Sequence, residues 1–431
     1  MNVYDANRVR TVLNFRGWNE VNEDEANLII ITGCSVRAKA EQKVWSEMGR
    51  YENSWKKFKR PIVALTGCVA QNLGQKALSR FQWVKLVSGP RHIGLLPDAL
   101  EQIIKNPDSK LNLLDHDPKE FFNLDFDPDN TTILRENKFK AYVTIAHGCD
   151  NFCTYCIVPY VRGRFLSRKP DDIFNEINFL LNDGVKEITL LGQNVNSYGK
   201  DFNSNLNFAW LLNKVSEMNP ARIRFVTSLP QDFTEDIINV MADKNNICPS
   251  LNLPIQSGSN KILKLMNRKY TREEYFKKVE ILREKIPDIG LTTDIITGFP
   301  GETDEDFNDS LDALKKIKFD LVHSAAYSER EGTPAAKMPN SLPVELRLSR
   351  LETLNKIQDE ITAEINKNYN NKTVEVLADD FAPKGENLLQ GRTPSDKVVI
   401  FPGEKNLLGK FVNIKITHAE NWCLHGEVIP E

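Results

Sequence analysis

Three cysteines within eight residues carry the strongest chemical signal in this sequence. Cys149, Cys153 and Cys156 lie in Ala146-His-Gly-Cys-Asp-Asn-Phe-Cys-Thr-Tyr-Cys-Ile-Val-Pro, directly after a predicted strand. Three thiolates on one tight loop can hold three corners of a cubane iron-sulfur cluster. Because no fourth cysteine is nearby, one iron would stay open to a substrate. The alternative is a zinc site that recruits His147, but a histidine two residues before such a trio is not usual zinc spacing.

Two further cysteines end similar apolar runs in the first hundred residues. Ala26-Asn-Leu-Ile-Ile-Ile-Thr-Gly-Cys34 and Pro61-Ile-Val-Ala-Leu-Thr-Gly-Cys68 both finish in Thr-Gly-Cys. Continuous apolar runs of this length favour strands that are buried on both faces of a parallel sheet. Cys34 and Cys68 are therefore expected at the carboxyl ends of strands, where open α/β sheets bind ligands.

The rest of the chain predicts an α/β protein with three domains. Between Lys140 and residue 365, strand-like runs alternate with helical ones, and each strand run ends in a polar or glycine-bearing loop, which favours a partial (β/α) barrel of TIM type with its site at the strand ends. Thr271-Arg-Glu-Glu274 is a capping box that predicts a helix to about Lys285. The last sixty residues, with short alternating segments, predict a small antiparallel β-barrel. The expected boundaries are 1–106 for a parallel α/β domain, 107–134 for a linker, 135–367 for the barrel and 368–431 for the small β-barrel.

Composition limits the function classes. The chain has 431 residues, a net charge of -3 and no apolar run that approaches a membrane span, and its mean hydropathy is -0.41. Seven cysteines with three in one loop favour ligation over disulfides, as in a reducing cytoplasm. The last domain is slightly acidic, so its charge does not predict RNA binding. The histidines form no His-x-x-x-His pair, which gives hydrolytic or histidine-zinc mechanisms no support.

The cysteine spacing resembles that of the radical S-adenosylmethionine superfamily. That resemblance implies a 4Fe-4S cluster on Cys149, Cys153 and Cys156 whose open iron chelates S-adenosylmethionine, and a 5′-deoxyadenosyl radical released on reduction. The sequence also looks like the methylthiotransferases over essentially all of its length, in the following segments: Cys149-Asp-Asn-Phe-Cys-Thr-Tyr-Cys-Ile-Val-Pro, Leu191-Gly-Gln-Asn-Val-Asn-Ser-Tyr-Gly, Leu253-Pro-Ile-Gln-Ser-Gly-Ser, Met266-Asn-Arg-Lys-Tyr-Thr-Arg, Asp294-Ile-Ile-Thr-Gly-Phe-Pro-Gly-Glu-Thr and Gly332-Thr-Pro-Ala-Ala.

Membership of that family would imply a second, auxiliary 4Fe-4S cluster in the N-terminal domain. Cys34 and Cys68 match two of its three cysteine ligands. The first family ligand lies in a Gly-Cys-Gln-Met-Asn segment, and this sequence begins at the Met-Asn, so that ligand is missing from it. Either the start was assigned too late, which we favour, or the gene is truncated and the auxiliary cluster is weakened or lost. Cys248 and Cys423 match no family context and are interpreted as buried small hydrophobic residues.

Polar residues after the predicted barrel strands are the expected contacts of S-adenosylmethionine or substrate: Gln193, Asn194, Ser228, Gln256 and Asp294. Each of them has an ordinary alternative as a helix cap or a turn former. Tyr155 could stack on the adenine of the cofactor or pack over the cluster. Four basic residues after the cluster loop could meet RNA phosphates, with a solvated basic face as the alternative for the last two: Arg162, Arg164, Arg168 and Lys169.

Within the family, the sequence most resembles the tRNA branch, in Asn194-Val-Asn-Ser-Tyr-Gly and in Gly391-Arg-Thr-Pro-Ser-Asp-Lys. The resemblance implies methylthiolation of C2 of an isopentenylated adenosine beside the anticodon, and a C-terminal TRAM domain that binds RNA. The expected partners are tRNA, an external electron donor and a sulfur source, with no membrane and a monomeric chain. The alternatives are action on threonylcarbamoyladenosine in tRNA or on a ribosomal protein aspartate, and a non-catalytic iron-sulfur RNA-binding protein.

Overall fold

The structure is a computed structural model that describes residues 1–35, 38–114, 133–385 and 387–429. These residues fall into two compact units. One comprises residues 1–136, 147–152 and 156–168, and the other comprises residues 137–146, 153–155 and 169–431. Most of the predicted linker, residues 115–132, lies outside the described residues.

The first unit contains a parallel sheet with the strand order β1-β2-β3-β4 and helices on both sides. Both predicted Thr-Gly-Cys strands are confirmed, and β4 lies within the segment that was expected to be the linker. The sheet strands are β1 (Leu28–Gly33), β2 (Ile62–Gly67), β3 (Val84–Ser88) and β4 (Leu111–Leu113). The helices are α1 (Asn2–Phe15), α2 (Ala38–Arg50), α3 (Glu52–Phe58), α4 (Cys68–Arg80) and α5 (Leu96–Lys105). Apolar side chains fill both faces of this sheet, because parallel strands are covered by helices on each side.

The second unit contains the predicted barrel strands in two parallel sheets, with orders β5-β8-β9 and β10-β11-β12. The strands of this region of the chain are β5 (Lys140–Thr144), β6 (Ala146–His147), β7 (Leu166–Ser167), β8 (Glu187–Leu191), β9 (Arg222–Phe225), β10 (Ser250–Asn252), β11 (Gly290–Thr297) and β12 (Leu321–Ala326). The helices are α6 (Val158–Arg162), α7 (Pro170–Asn182), α8 (Phe208–Glu217), α9 (Glu235–Asp243), α10 (Asn260–Leu265), α11 (Arg272–Lys285), α12 (Asp304–Ile317) and α13 (Val344–Lys367). The capping box at Thr271 and Glu274 is confirmed at the start of α11.

The last strands form a closed barrel with the order β13-β14-β15-β17-β16. They are β13 (Thr373–Phe381), β14 (Leu388–Arg392), β15 (Val398–Pro402), β16 (Phe411–Ala419) and β17 (Leu424–Val428). The prediction of an antiparallel barrel is correct for every pair except β15 with β17, which is parallel. Closure brings the last strand back beside β15, and this direction is not visible in the alternation of the segments.

This small barrel packs against the starts of the (β/α) strands, at the edge opposite to their carboxyl ends. The guanidinium of Arg222 donates to the carbonyl of Arg392 at 2.7 Å, and that of Arg224 donates to the carbonyl of Thr393 at 2.7 Å. Lys397 pairs with Asp320 at 2.8 Å. The two layers are therefore joined by ionic and hydrogen-bonded contacts, and the carboxyl ends of the strands are left uncovered by the small barrel. Among the described residues, no helix is both long and apolar enough to cross a membrane.

Candidate functional site

The two Thr-Gly-Cys segments lie side by side. β1 and β2 pair in parallel with Thr32 opposite Thr66, and the hydroxyls of these two residues are 2.8 Å apart. Cys34 follows β1 and Cys68 follows β2. Because neighbouring strands are about 4.8 Å apart, the equivalent register brings both cysteines to one point at the carboxyl edge of the sheet.

Cys68 is also the first residue of α4. Gly67 turns the chain from strand to helix with a φ of 81°, a left-handed conformation that favours glycine. The helix N-terminus places partial positive charge at the thiol, which favours the thiolate that a metal requires. Burial raises the pKa of Cys68, and the charge of Arg162 opposes that shift.

Arg162 is buried, and the prediction that it could meet RNA phosphates is wrong. Its side chain is only 3% exposed. Its guanidinium donates to the Sγ of Cys68 at 2.9 Å, to the Nε2 of His147 at 2.8 Å and to the carboxylate of Asp5 at 2.6 Å. Burial alone would lower the pKa of Arg162, but Asp5 and Cys68 outweigh it and raise the pKa. Arg162 is thus a buried cation that neutralises Asp5 and contacts one of the paired cysteines.

His147 is held as a neutral imidazole by the same contacts. An arginine can only donate, so the Nε2 of His147 accepts this hydrogen bond. Burial, followed by the charge of Arg162, lowers the pKa of His147 well below its ordinary value. The lone pair of this nitrogen is therefore used in the hydrogen bond from Arg162. The Nε2 of His147 thus gives no support to the alternative of a zinc site.

The amino terminus of the chain lies beside the same pair of cysteines. Burial lowers the pKa of the Met1 α-amino group, and the charges of Asp5, Arg162, Cys68 and Cys34 also act on it. The carbonyl of Met1 accepts the first hydrogen bond of α1 from the amide of Asp5 at 2.8 Å.

The loop that begins with Cys149 is fixed by its backbone. Gly148 has a φ of 74°, and a Cβ there would lie 2.1 Å from the carbonyl oxygen of Arg164. The amide of Cys149 donates to the carbonyl of Gly163 at 3.2 Å. Asp150 accepts from the guanidinium of Arg164 at 2.7 Å and from a backbone amide at 3.0 Å. The position of Cys149 is thus set by the chain that follows the third cysteine.

The Sγ of Cys149 has a hydrogen-bond donor of its own. The amide Nδ2 of Asn151 lies 3.3 Å from this sulfur. Donors of this kind around a cysteine sulfur stabilise the thiolate and tune a cluster that it ligates. The seven cysteines all lie among the described residues and form no disulfide, and those at 149, 153 and 156 are partly exposed.

One short segment connects the first unit's loop cysteines with Cys68. From Cys156 the chain enters α6, whose flanking Ile157 and internal Val161 pack against Cys68 in one buried cluster. Arg162 ends this helix and donates to the Cys68 sulfur. The segment from Cys156 to Arg162 therefore contains one loop cysteine and also the residues that pack against and donate to Cys68.

Backbone carbonyls of the same segment are held by Arg91. Its Nε donates to the carbonyl of Arg162 at 2.9 Å, and its Nη2 donates to that of Arg164 at 2.5 Å. Nothing in the local sequence indicated Asp5, Arg91 or Asn151 as part of the site. The partners of Asp5 and Arg91 are far away along the chain. Asn151 lies in the cysteine loop, but asparagine is a common surface residue.

Cys153 to Tyr155 belong to the second unit, where they are anchored by backbone contacts. The amide of Thr154 donates to the carbonyl of Met266 at 3.2 Å, and its carbonyl accepts from the amide of Ala335 at 2.8 Å. The ring of Tyr155 packs edge-on against Phe299, with centroids 6.4 Å apart. The ring of Tyr155 therefore lies in an apolar environment. Its stacking on the cofactor adenine and its packing over the cluster both stay predictions.

The loops after β8 and β9 are joined, which brings Gln193, Asn194 and Ser228 together. The hydroxyl of Thr227 donates to the carbonyl of Gly192 at 2.6 Å, and the amide of Leu229 donates to the side chain of Asn196 at 2.9 Å. Asn194 donates to Ser197 at 2.7 Å and to Asp232. Among the described residues, the buried Oδ1 of Asn194 and the buried Oγ of Ser228 find no partner.

Gln256 and Asp294 form a second group in the other sheet, where Asp294 lies within β11. The amide of Gln256 donates to the carbonyl of Asp294 at 2.8 Å. Gln256 has a φ of 70°, a left-handed conformation that is costly for a residue with a side chain and is typical of functional sites. The carboxylate of Asp294 accepts from Asn252 at 3.2 Å. The described contacts do not join this group to that of Asn194 and Ser228.

The two spare cysteines differ. Cys248 is 4% exposed, and the interpretation as a buried small residue is confirmed. For Cys423 it is wrong, because that residue is only partly buried and its Sγ lies 3.3 Å from the Nε2 of His425. The polar contacts of Cys423 are with Glu420 and His425, its neighbours in the turn between β16 and β17.

Three family models match successive parts of the chain. The Radical SAM superfamily matches residues 143–314, the Uncharacterized protein family UPF0004 matches residues 1–89, and the TRAM domain matches residues 367–429. Among solved structures, the radical S-adenosylmethionine methyltransferase TsrM from Kitasatospora setae is similar, with a TM-score of 0.58 at 16% identity over 78% of this chain and 71% of that chain. The fold and the cysteine loop thus define a radical S-adenosylmethionine protein.

Curated relatives are similar over the full chain. The tRNA-2-methylthio-N(6)-dimethylallyladenosine synthase of Acetivibrio thermocellus is 41% identical, over 100% of this chain and 89% of its own length. Those of Carboxydothermus hydrogenoformans and Clostridium botulinum (strain Langeland) are 41% and 42% identical, over 100% of this chain and 97% and 95% of their own lengths. The chain belongs to the family of the tRNA-2-methylthio-N(6)-dimethylallyladenosine synthases, which are radical S-adenosylmethionine transferases with 4Fe-4S clusters.

Proposed function

We propose that this chain adds a methylthio group to C2 of N(6)-isopentenyladenosine next to the anticodon of tRNA. The observation that carries the proposal is the segment from Cys156 to Arg162, which links a cysteine of the radical-type loop to the buried Cys68. A reaction that replaces hydrogen by sulfur needs a radical source and a sulfur site in one enzyme, and the two cysteine groups supply the ligands for both.

Cys149, Cys153 and Cys156 are the proposed ligands of the radical-forming cluster. Their partly exposed thiols, which form no disulfide, and the Asn151 donor to the Cys149 sulfur fit a three-thiolate site. When bound there, a 4Fe-4S cluster with S-adenosylmethionine supplies the 5′-deoxyadenosyl radical that removes hydrogen. The chain's own part is to hold the loop rigid through Gly148, Asp150 and Arg164 and to exclude water with Tyr155.

The proposed cofactor and substrate contacts are the strand-end groups. The unpartnered Oγ of Ser228 and Oδ1 of Asn194 are a buried donor-acceptor and a buried acceptor, and buried polar atoms of this kind require partners. An amino acid moiety or a ribose offers both donors and acceptors for them. Gln193, Gln256 and Asp294 complete the proposed set.

Cys34 and Cys68 are the proposed ligands of the auxiliary cluster. Arg162 donates to the Cys68 sulfur and offsets the negative charge of thiolates there. An engineered chain with Cys-Gln added before Met1 would restore the third cysteine that the family resemblance implies. About eight irons in that chain and about four in this one, after anaerobic reconstitution, is the expected result. About four in both would remove the auxiliary cluster from the proposal.

The division into 1–106, 107–134, 135–367 and 368–431 is part of the proposal, with β4 as an addition to the first domain. The C-terminal barrel would bind tRNA as a TRAM domain. The proposal also includes a cytoplasmic location and a monomeric chain. It further includes an external electron donor and an external sulfur source.

The test is mass spectrometry of tRNA nucleosides from a deletion strain. Loss of the methylthio nucleoside, with its unmethylthiolated isopentenyl precursor accumulating, is expected, and this gene should restore it while the Cys149→Ala form should not. Loss of the methylthio form of threonylcarbamoyladenosine, or of a modified ribosomal protein aspartate with the isopentenyl nucleoside intact, would contradict the proposed substrate.

A further inference from the structure

The hairpin between β16 and β17 gathers four side chains of metal-binding types on one face. His418 and His425 are direct partners across the two strands, and Ala419 pairs with Leu424. Side chains two residues apart point to the same side of a strand, so Glu420 shares the face of His418 and Cys423 shares the face of His425. An imidazole and a carboxylate from one strand end therefore face a thiol and an imidazole from the other.

The donor atoms of these residues are spaced as a metal would require. The Sγ of Cys423 is 3.3 Å from the Nε2 of His425 and 3.8 Å from the Oε2 of Glu420. The Oε1 of Glu420 is 3.6 Å from the Nε2 of His425 and 4.0 Å from the Nε2 of His418. Tetrahedral zinc, with bonds of about 2.0–2.3 Å, holds neighbouring ligand atoms about 3.3–3.8 Å apart. The first three distances, which join Glu420, Cys423 and His425, fall in that range, and the distance to His418 lies slightly beyond it.

The turn that carries these residues is fixed from outside. Asn366, a buried residue in the last turn of α13, donates its amide Nδ2 to the carbonyl of Glu420 at 2.8 Å and to that of Asn421 at 3.1 Å. Within the turn, the amide of Glu420 donates to the carbonyl of Cys423 at 2.9 Å. Partners that fix ligand backbones in this way reduce the entropy lost when a metal binds.

The donor set selects the metal. One thiolate and two imidazoles suit zinc and related thiophilic divalent ions, whereas calcium and magnesium take oxygen ligands. We propose that His418, Glu420, Cys423 and His425 bind one zinc ion, with none of the cysteines at 34, 68, 149, 153 or 156 among its ligands. Binding releases the proton of the Cys423 thiol to solvent and leaves the ion coordinated by one sulfur, two nitrogens and one oxygen.

The position of the site gives the ion a structural role. β17 closes the barrel through a parallel pair with β15 that has only two register partners, Val399 with Leu424 and Ile400 with His425. The ion would bind at this same end of β17 and tie it to β16. Zinc is therefore expected to stabilise the closure of the C-terminal barrel.

The test uses the full chain with Cys149→Ala, Cys153→Ala and Cys156→Ala as the background, so that the loop thiols do not bind metal. Zinc content by mass spectrometry and affinity by competition with a chromogenic chelator are measured in the background and with Cys423→Ser or His425→Ala added. The matched control is His323→Ala, which removes an exposed histidine on β12. Thermal unfolding in excess chelator verifies that each variant is folded.

We expect the background and the control to retain one zinc more than the two ligand variants, whose affinity falls by at least about 100-fold because loss of an outer partner alone costs 10- to 100-fold. His418→Ala should weaken binding less than Cys423→Ser. Cobalt in place of zinc should give a thiolate charge-transfer band and tetrahedral d–d bands that Cys423→Ser removes. Equal zinc content in the background and Cys423→Ser, or affinity weaker than about 10 μM in both, would overturn the proposal.

Discussion

Arg162 and Arg164 are two residues apart, and each pairs with an aspartate beside a cysteine, yet their surroundings differ. Arg162 and Asp5 have side chains that are 3% and 2% exposed, and the pair contacts Cys68. Arg164 and Asp150 are 77% and 41% exposed, and the pair holds the loop of Cys149. Bulk water cannot reach the first pair to take the place of a lost partner, whereas it can reach the second pair. The same residue types therefore form a buried structural contact at one cysteine group and a solvent-screened clamp at the other.

The largest effect is expected from Arg162→Met. This change leaves the Asp5 carboxylate buried without its cation, which typically costs about 3–5 kcal/mol. Native-state hydrogen exchange of α4 and β2 should report that loss of stability, and Arg162→Lys should recover part of it by restoring the charge but not the three donors. A cost below about 1 kcal/mol for Arg162→Met would remove the distinction between the two pairs.

An intermediate case is the pair of Lys261 and Asp306, in which the cation is 52% and the carboxylate 9% exposed. Burial opposes ionisation of Asp306, but hydrogen bonds from Lys261, Ser259 and Thr303 outweigh it and lower its pKa to about 2. A carboxyl whose pKa is lowered by folding stabilises the protein above its unfolded pKa and loses that contribution as the pH falls towards the folded pKa.

Asp306→Asn should thus cost about 2 kcal/mol at pH 7 and about half of that at pH 3. Urea unfolding at both values measures the difference, with Asp243→Asn, at an exposed position of α9, as the control. A cost that is equal at the two pH values would show that the hydrogen bonds, and not the ionised carboxylate, carry the stabilisation.

The smallest effect is expected from Arg164→Met. An exposed ion pair contributes little to stability, because water and salt screen it. The exchange rates of amides in residues 148–152 should rise slightly, and raising the salt concentration should reduce the difference from the parent chain. A cost comparable with that of Arg162→Met would contradict the solvent-screened interpretation.

Particular residues show what the sequence could and could not predict. The two Thr-Gly-Cys ends were predictable because apolar runs fix the strands and parallel pairing fixes the register, which places Cys34 beside Cys68. The role of Arg162 was not, since nothing in the sequence distinguishes it from Arg164 and its partner Asp5 is 157 positions away. The His418 to His425 hairpin was missed because its ligands alternate along two strands, a pattern outside the helical His-x-x-x-His search.

The proposed role of the Cys149 loop is to generate the radical. The most direct test is the amount of 5′-deoxyadenosine formed from S-adenosylmethionine by the anaerobically reconstituted and reduced full chain, compared with Cys149→Ala and with Cys248→Ala as a buried-cysteine control. We predict that the parent chain and the control form 5′-deoxyadenosine and that Cys149→Ala forms none. A parent chain with a full complement of iron that forms none, or a Cys149→Ala chain that forms as much as the parent, would contradict the account.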